Sequence, residues 1–213
     1  MVRFITFEGG DGTGKTTQIQ FLAGYLRERQ RSCIVTREPG GTALGEMIRK
    51  VLLKVGDREI ARSTELFLYL ADRAQHVHEI ITPALISGSI VLCDRFSDST
   101  LAYQGYGRGS DLQWLRSLND AATGGLRPDL SFLFDCSVDA GLARAAGRRV
   151  HSETDPSQED RFEREKLEFH EKVRKGFLEL ARLEPGRFRI IDASRSVADV
   201  GRQIREIIDR ELF

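Results

Sequence analysis

The sequence predicts an α/β protein: a five-stranded parallel sheet with helices on both faces, three layers deep. Three observations predict it. Short apolar runs alternate with longer amphipathic stretches along the chain, the pattern of strands joined by crossover helices. A glycine-rich loop follows the first run and opens a helix. Most of the apolar runs stop at or near a charged or polar residue, which in open α/β sheets is the edge that faces the ligand crevice. By this reading Glu8, Arg37, Asp94 and Asp135 gather on one edge.

Each element has its own signal. Val2 to Phe7 is the first strand, and the helix from Lys15 to Gln30 follows the glycine loop. Ser32 to Arg37 is the second strand. Thr42 is a good N-cap, because its hydroxyl can accept from a first-turn N–H, for a helix to about Val55. Ile60 to Ile86 reads as a long helix, kinked or broken near Pro83, which lacks the N–H. Ser89 to Asp94 is the third strand, Asp111 to Ala122 a helix, Leu130 to Cys136 the fourth strand, and Val138 to about Gly147 the next helix. Arg148 to Asp160 has no apolar periodicity, is rich in charge and contains Pro156. That predicts a surface loop of the length used for lids. A charge-dense helix from Arg161 to Leu183 carries apolar marks at Phe162, Leu167, Phe169, Val173, Phe177 and Leu180. Arg187 to Asp192 is the fifth strand, and Val197 to Leu212 is the closing helix.

Composition narrows the function. The 213 residues, 40% hydrophobic and 30% charged, fit one globular domain over 1–213 whose core needs neither disulfide nor structural metal. Thirty-two basic residues balance thirty-two acidic ones. This argues against a nucleic-acid binder or a polybasic membrane anchor, since both need excess positive charge. No apolar run is long enough to cross a bilayer, and the N-terminal segment reads as a strand, not a signal peptide. Cys33, Cys93 and Cys136 are scattered and form no C-x-x-C pair, so they read as small buried free thiols in a cytoplasmic protein.

The strongest motif is Gly9-Gly10-Asp11-Gly12-Thr13-Gly14-Lys15-Thr16, with Thr17 after it. It matches G-x-x-x-x-G-K-[ST], the phosphate-binding loop, and it sits between a strand and a helix as that motif requires. The glycines let the backbone wrap an anion with its N–H groups inward, and the helix presents its positive end. Lys15 adds a point charge at the β- and γ-phosphates, and Thr16 offers a hydroxyl to Mg²⁺. This implies a P-loop NTPase fold. The N-K-x-D motif that reads guanine is absent, so ATP is favoured.

Four further segments resemble the thymidylate kinase family: Arg37-Glu38-Pro39-Gly40-Gly41-Thr42, Ala71-Asp72-Arg73-Ala74-Gln75-His76, Leu92 to Gln104 containing Asp94-Arg95-Phe96, and Pro128-Asp129-Leu130. They occur in the family's order and, with the P-loop and lid, cover nearly the whole chain. The resemblance implies transfer of the γ-phosphate of ATP to dTMP, giving dTDP on the route to dTTP, with Mg²⁺, by a homodimer. It implies that Tyr69 stacks on thymine, where the family usually has Phe. It implies that Arg73 hydrogen-bonds the base, that Thr100, Tyr103 and Gln104 face base and deoxyribose, and that Arg37 and Arg95 hold the acceptor phosphate. It implies further that Asp11 contacts the sugar 3′-hydroxyl or nearby waters and that Asp94 helps organise Mg²⁺ beside Thr16. The P-loop holds no arginine at Asp11-Gly12-Thr13. This resembles the bacterial type, in which the lid, about 144–161, supplies the cation: Arg148 or Arg149, with Arg144 and Arg161 close by. Lys15, Arg95, Arg148 and Arg149 are therefore the expected catalytic set.

Two alternatives stay open at this point. Another P-loop nucleotide or nucleoside kinase is one, and for a nucleoside acceptor Glu8 is the candidate base. An ATP-binding regulatory module is the other; it predicts decay of the acceptor motifs, which are intact. The remaining marked residues have plainer readings. Asp135 caps the helix beginning near Val138. His76 and His78, two apart on a helix, do not face each other and are not a metal pair. His151, His170 and the charges from Glu159 to Lys175 are solvated, and Trp114 packs.

Overall fold

Five strands form one parallel sheet: β1 (Phe4–Gly9), β2 (Cys33–Arg37), β3 (Ile90–Asp94), β4 (Leu130–Asp135) and β5 (Phe188–Asp192), in spatial order β2-β3-β1-β4-β5. The computed structural model describes residues 2–53, 60–150 (backbone only from 148) and 165–212. The helices are α1 (Lys15–Glu28), α2 (Ala43–Leu53), α3 (Arg62–His76), α4 (Thr82–Ile86), α5 (Ser97–Thr100), α6 (Leu112–Thr123), α7 (Val138–Val150), α8 (Leu167–Leu183) and α9 (Val197–Leu212). π-helical turns at Val77–Ile81 and Leu101–Gly107 join α3 to α4 and extend α5.

Strand alternation assigns each side chain to a face. Ile5 and Phe7 of β1, Ile90 and Leu92 of β3, and Phe132 and Phe134 of β4 pack with Ile19, Leu22 and Leu26 of α1 and Ile204 and Ile208 of α9. The opposite face meets Leu66 and Leu70 of α3, the Leu101–Tyr103 turn, and Val173, Phe177 and Leu180 of α8, and a third cluster joins Phe4, Val91, Cys93 and Phe96. Helices cover both faces of the three central strands, which is why β1, β3 and β4 are largely apolar along their length. On the second face a polar seam crosses the sheet. Thr6 Oγ1 meets Ser131 Oγ at 2.7 Å, and Arg187 donates to Ser131 Oγ and to Asp98, each at 2.7 Å.

The structure corrects several local expectations. The long helix is not broken at Pro83. Its irregularity is the π turn ahead of it, where Thr82 N–H reaches back five residues to Val77 O; Pro83 sits in the next first turn, where a missing N–H costs least. The charged helix begins at Leu167 rather than Arg161, and 161–164, with Phe162, lie outside the described residues. Helix α7 runs on to Val150, so Arg148 and Arg149 belong to a helix end instead of the loop. Most of the expected lid, including His151 and Arg161, lies outside the described residues. Asp135 does not cap α7. Its carboxylate takes Arg174 at 2.7 and 3.0 Å, which also removes Arg174 from the solvated face. Trp114 is about half exposed, and His170 is buried. Cys93 and Cys136 are buried and Cys33 half-buried, and burial pushes all three thiols up.

Candidate active site

The sheet reverses its winding at β1, with β3 on one side and β4 on the other, so the crevice opens past the carboxyl end of β1. A cleft of about 550 Å³ lies there. Asp11, Gly12, Thr13, Gly14, Lys15 and Thr16 line one end, and Arg37, Tyr69, Arg73, Arg95, Thr100, Tyr103 and Gln104 line the rest, with Asp94 between. Gly9 and Gly10 face a smaller cavity behind the loop, and Thr17 is exposed on the first turn of α1. The strand ends do gather: Arg37 pairs in register with Asp94, and Asp94 with Phe7.

Lys15 is buried and donates to Gly10 O at 2.6 Å and Gly9 O at 3.1 Å. Burial, with the like charge of Arg95, pushes its ammonium down to about 8, against the pull of Asp94, Asp11 and Glu8. An incoming polyphosphate would favour the charged form. Thr16 Oγ1 donates to Asp94 Oδ2 at 2.9 Å, which puts a hydroxyl and a carboxylate oxygen side by side at the cleft wall.

Arg95 follows β3 in the left-handed region, φ +68°. A non-glycine residue there costs about 1–3 kcal/mol and needs fixing by its surroundings. Its N–H donates to Phe7 O, and Phe96 N–H donates to Glu8 Oε1 at 2.8 Å. The turn aims the Arg95 guanidinium back at the P-loop, where it donates to Gly9 O at 2.9 Å and Asp11 Oδ1 at 2.6 Å and lies over the Tyr103 ring. Burial alone would raise the Asp11 carboxyl, but Arg95 and Lys15 outweigh it and hold it below its ordinary value. Tyr103 OH donates to Asp11 Oδ2 at 3.4 Å. Arg37 reaches Glu46 at 2.6 Å and is half exposed at the cleft mouth. Gln104 donates to the buried Glu65, and Thr100 accepts from Arg73.

Sequence reasoning missed the supports. Glu8 is fully buried; Oε1 accepts from Phe96 N–H and Oε2 from Ser99 Oγ. Burial and the nearby Asp98 push its carboxyl up to about 8. It holds the Arg95 turn from beneath and does not face the cleft, which counts against a base acting on a nucleoside hydroxyl. Glu38 and Asn119, both buried, hold Arg73, and buried His76 holds the other oxygen of Glu38. His76 shares α3 with Arg73, three residues on, but Glu38 and Asn119 come from separate elements, so nothing in their spacing announces that they meet there.

The family model described as thymidylate kinase matches residues 7–204. The chain belongs to the thymidylate kinase family. It is 56% identical over 209 residues to a thymidylate kinase of Desulfovibrio desulfuricans, covering 98% of this chain and 96% of that protein. A Geobacter sulfurreducens thymidylate kinase is 52% identical over 205 residues, covering 96% of this chain and 95% of the other. The fold matches the crystal structure of thymidylate kinase from Ehrlichia chaffeensis with a TM-score of 0.77 at 36% identity, covering 97% of this chain and 98% of that one. The protein is thus a nucleoside monophosphate kinase, a phosphotransferase that converts dTMP to dTDP, with ATP as the family's phosphate donor. Among the described residues no helix is long and apolar enough to cross a membrane.

Proposed function

We propose that ATP and dTMP lie end to end in the cleft, and that the residues 1–213 work as one kinase domain. The observation that carries this is the cleft itself: an anion-wrapping loop at one end, and arginines, tyrosines and a buried polar wall at the other, within one cavity. The ATP phosphates lie along Gly12 to Thr16. Arg37 and Arg95 hold the dTMP phosphate, for which planar guanidinium forks are suited. Tyr69 stacks on the base, Arg73 and Gln104 meet its edge, and Tyr103 stands by the sugar with Asp11. Thr100 acts through Arg73, accepting a hydrogen bond from its Nη1.

An oxygen of the dTMP phosphate attacks the γ-phosphorus of ATP, the bond to the β–γ bridging oxygen breaks, and ADP leaves. The attacking phosphate is already anionic, so no general base is required. Catalysis rests on in-line placement and neutralised charge. Lys15 and Arg95 supply that charge from the described residues; Arg148 or Arg149 supplies the rest. Thr16 and Asp94 fit Mg²⁺, whose habit is one or two protein oxygens, several waters and substrate phosphates. When bound it neutralises phosphate charge.

The protein acts as a cytoplasmic homodimer. Leu44, Met47 and Val51 form an exposed stripe at helical spacing on α2, and α3, which packs on α2, carries exposed Phe67. Met47→Asp is expected to yield a monomer by light scattering. The test of the reaction is ADP release with Mg-ATP against dTMP, dUMP, CMP, AMP, GMP and thymidine. Preference for dTMP is expected; turnover mainly with thymidine overturns the roles of Arg37 and Arg95. Separate Arg148→Ala and Arg149→Ala variants are expected to differ in kcat, and the larger loss identifies the bridging arginine.

A further inference from the structure

Arg73 reaches the cleft from α3 with its guanidinium enclosed. Nε donates to Glu38 Oε2 at 2.8 Å, Nη1 to Thr100 Oγ1 and Asn119 Oδ1 at 2.7 Å each, and Nη2 to Phe96 O at 3.0 Å. A guanidinium has five N–H donors. Among the described residues four are committed, which leaves one, on Nη2, for a molecule in the cleft. A single N–H can read a base only if its direction is fixed.

The fixing has a second layer. Glu38 stands in the loop after β2 and is buried. One oxygen takes Arg73 Nε, and the other takes His76 Nδ1 at 2.9 Å. Arg73 and His76 are three apart on α3, so one helix face grips both carboxylate oxygens. His76 is fully buried, and its Nε2 meets Thr36 Oγ1 at 2.6 Å. Thr36 precedes Arg37 and Phe96 follows Arg95. The network therefore ties the base-facing guanidinium to the backbone beside both arginines of the acceptor-phosphate end.

We propose that Glu38 and His76 are positioning residues for recognition of the acceptor base. His76, held by Thr36, orients the Glu38 carboxylate, and Glu38 sets the plane of Arg73 and so the line of its one available N–H. The spacing between base and phosphate is set by the same chain of hydrogen bonds. This rests on the reading of Arg73 as a base contact.

The test compares Arg73→Lys, His76→Phe, His76→Asn and Glu38→Gln. The readouts are KM for dTMP, KM for ATP, and the ratio of kcat/KM for dTMP to that for CMP. The ratio does not depend on the fraction of folded enzyme, so a loss of stability alone leaves it unmoved. Arg73→Lys is expected to raise KM for dTMP and lower the ratio. His76→Phe is expected to raise KM for dTMP about tenfold, with KM for ATP within about twofold. Asn can keep a donor toward Glu38, so His76→Asn falls between His76→Phe and the natural protein. Glu38→Gln, which keeps the volume, has one oxygen for two donors and lowers the ratio too; it decides the matter if His76→Phe does not fold. If Arg73→Lys moves KM and the ratio while the His76 and Glu38 variants change only Tm, the positioning role is overturned and the base contact stands. If Arg73→Lys moves neither, the base contact itself falls, and the positioning role with it.

Discussion

Gly141→Ala tests how the P-loop is held. Gly141 lies in α7, and a Cβ there would stand 2.7 Å from Asp11 O. The contact is reciprocal: a Cβ on Gly12, at φ +72°, would meet Gly141 O at 1.8 Å. Helix and loop thus touch backbone to backbone, and neither partner can rotate away. Ordinary contact begins near 3.4 Å, so the added methyl group forces the loop back by about 0.7 Å. Alanine improves the helix by about 1 kcal/mol, whereas overpacking costs about 1–3 kcal/mol. The net loss of stability is then about 0–2 kcal/mol, a few degrees in Tm. Activity has no such compensation. A shift of that size in the phosphate cradle is expected to lower kcat roughly 10- to 100-fold. The assay is coupled ADP release at saturating dTMP with ATP varied, alongside thermal unfolding. Gly24→Ala is the control, since a Cβ at this α1 position meets nothing within 4 Å; it should raise Tm slightly and leave kcat unchanged. A Gly141→Ala enzyme with normal kcat and normal KM for ATP would refute the backbone clamp.

Three further outcomes follow from the same geometry. Lys15→Met should lower kcat by more than about 100-fold while circular dichroism keeps the α/β signature, because its charge, not its packing, is what the transferred phosphoryl group needs. Glu8, pushed up to about 8 from 4.5 by burial and by Asp98, binds more protons folded than unfolded between those values. It therefore makes stability fall as pH rises from 4.5 to 8, and Glu8→Gln should flatten that fall in a Tm-against-pH series; an unchanged slope refutes the assignment. Arg187→Ala strands Asp98, which is paired at 2.7 and 3.0 Å and nearly fully buried. Losing one partner of a buried pair costs about 3–5 kcal/mol, so Tm should drop by roughly 10 °C, and a drop under about 2 °C would mean that water already reaches the pair.

The elements most legible in the sequence were those with local signals. The P-loop announced itself through residues contiguous in the chain, and the Thr42 cap appears as expected, with Gly45 N–H donating to its hydroxyl at 2.9 Å. The segment from Ser97 to Gly107 was not legible as helix. Gly105 and Gly107 within it are places of close approach: a Cβ would meet Leu112 at 2.5 Å and Phe169 at 2.6 Å. His170 and Asp135 were misread because burial, and the pairing of Asp135 with Arg174, depend on how α8 docks on the sheet.

By itself the sequence determined the parallel α/β plan, the strand-end edge where the cleft opens, and the glycine-rich loop that lines one end of it, since each depends on local period or on a contiguous motif. Tertiary structure alone decided the supports: Glu8 beneath Arg95, Glu38 and His76 behind Arg73, and Gly141 against Asp11. Glu8 and Arg95, Glu38 and the Arg73–His76 pair, and Gly141 and Asp11 each lie far apart in sequence and meet only when the elements pack. A buried carboxylate or a bare glycine carries no sign of its partner until the backbone brings the two within reach.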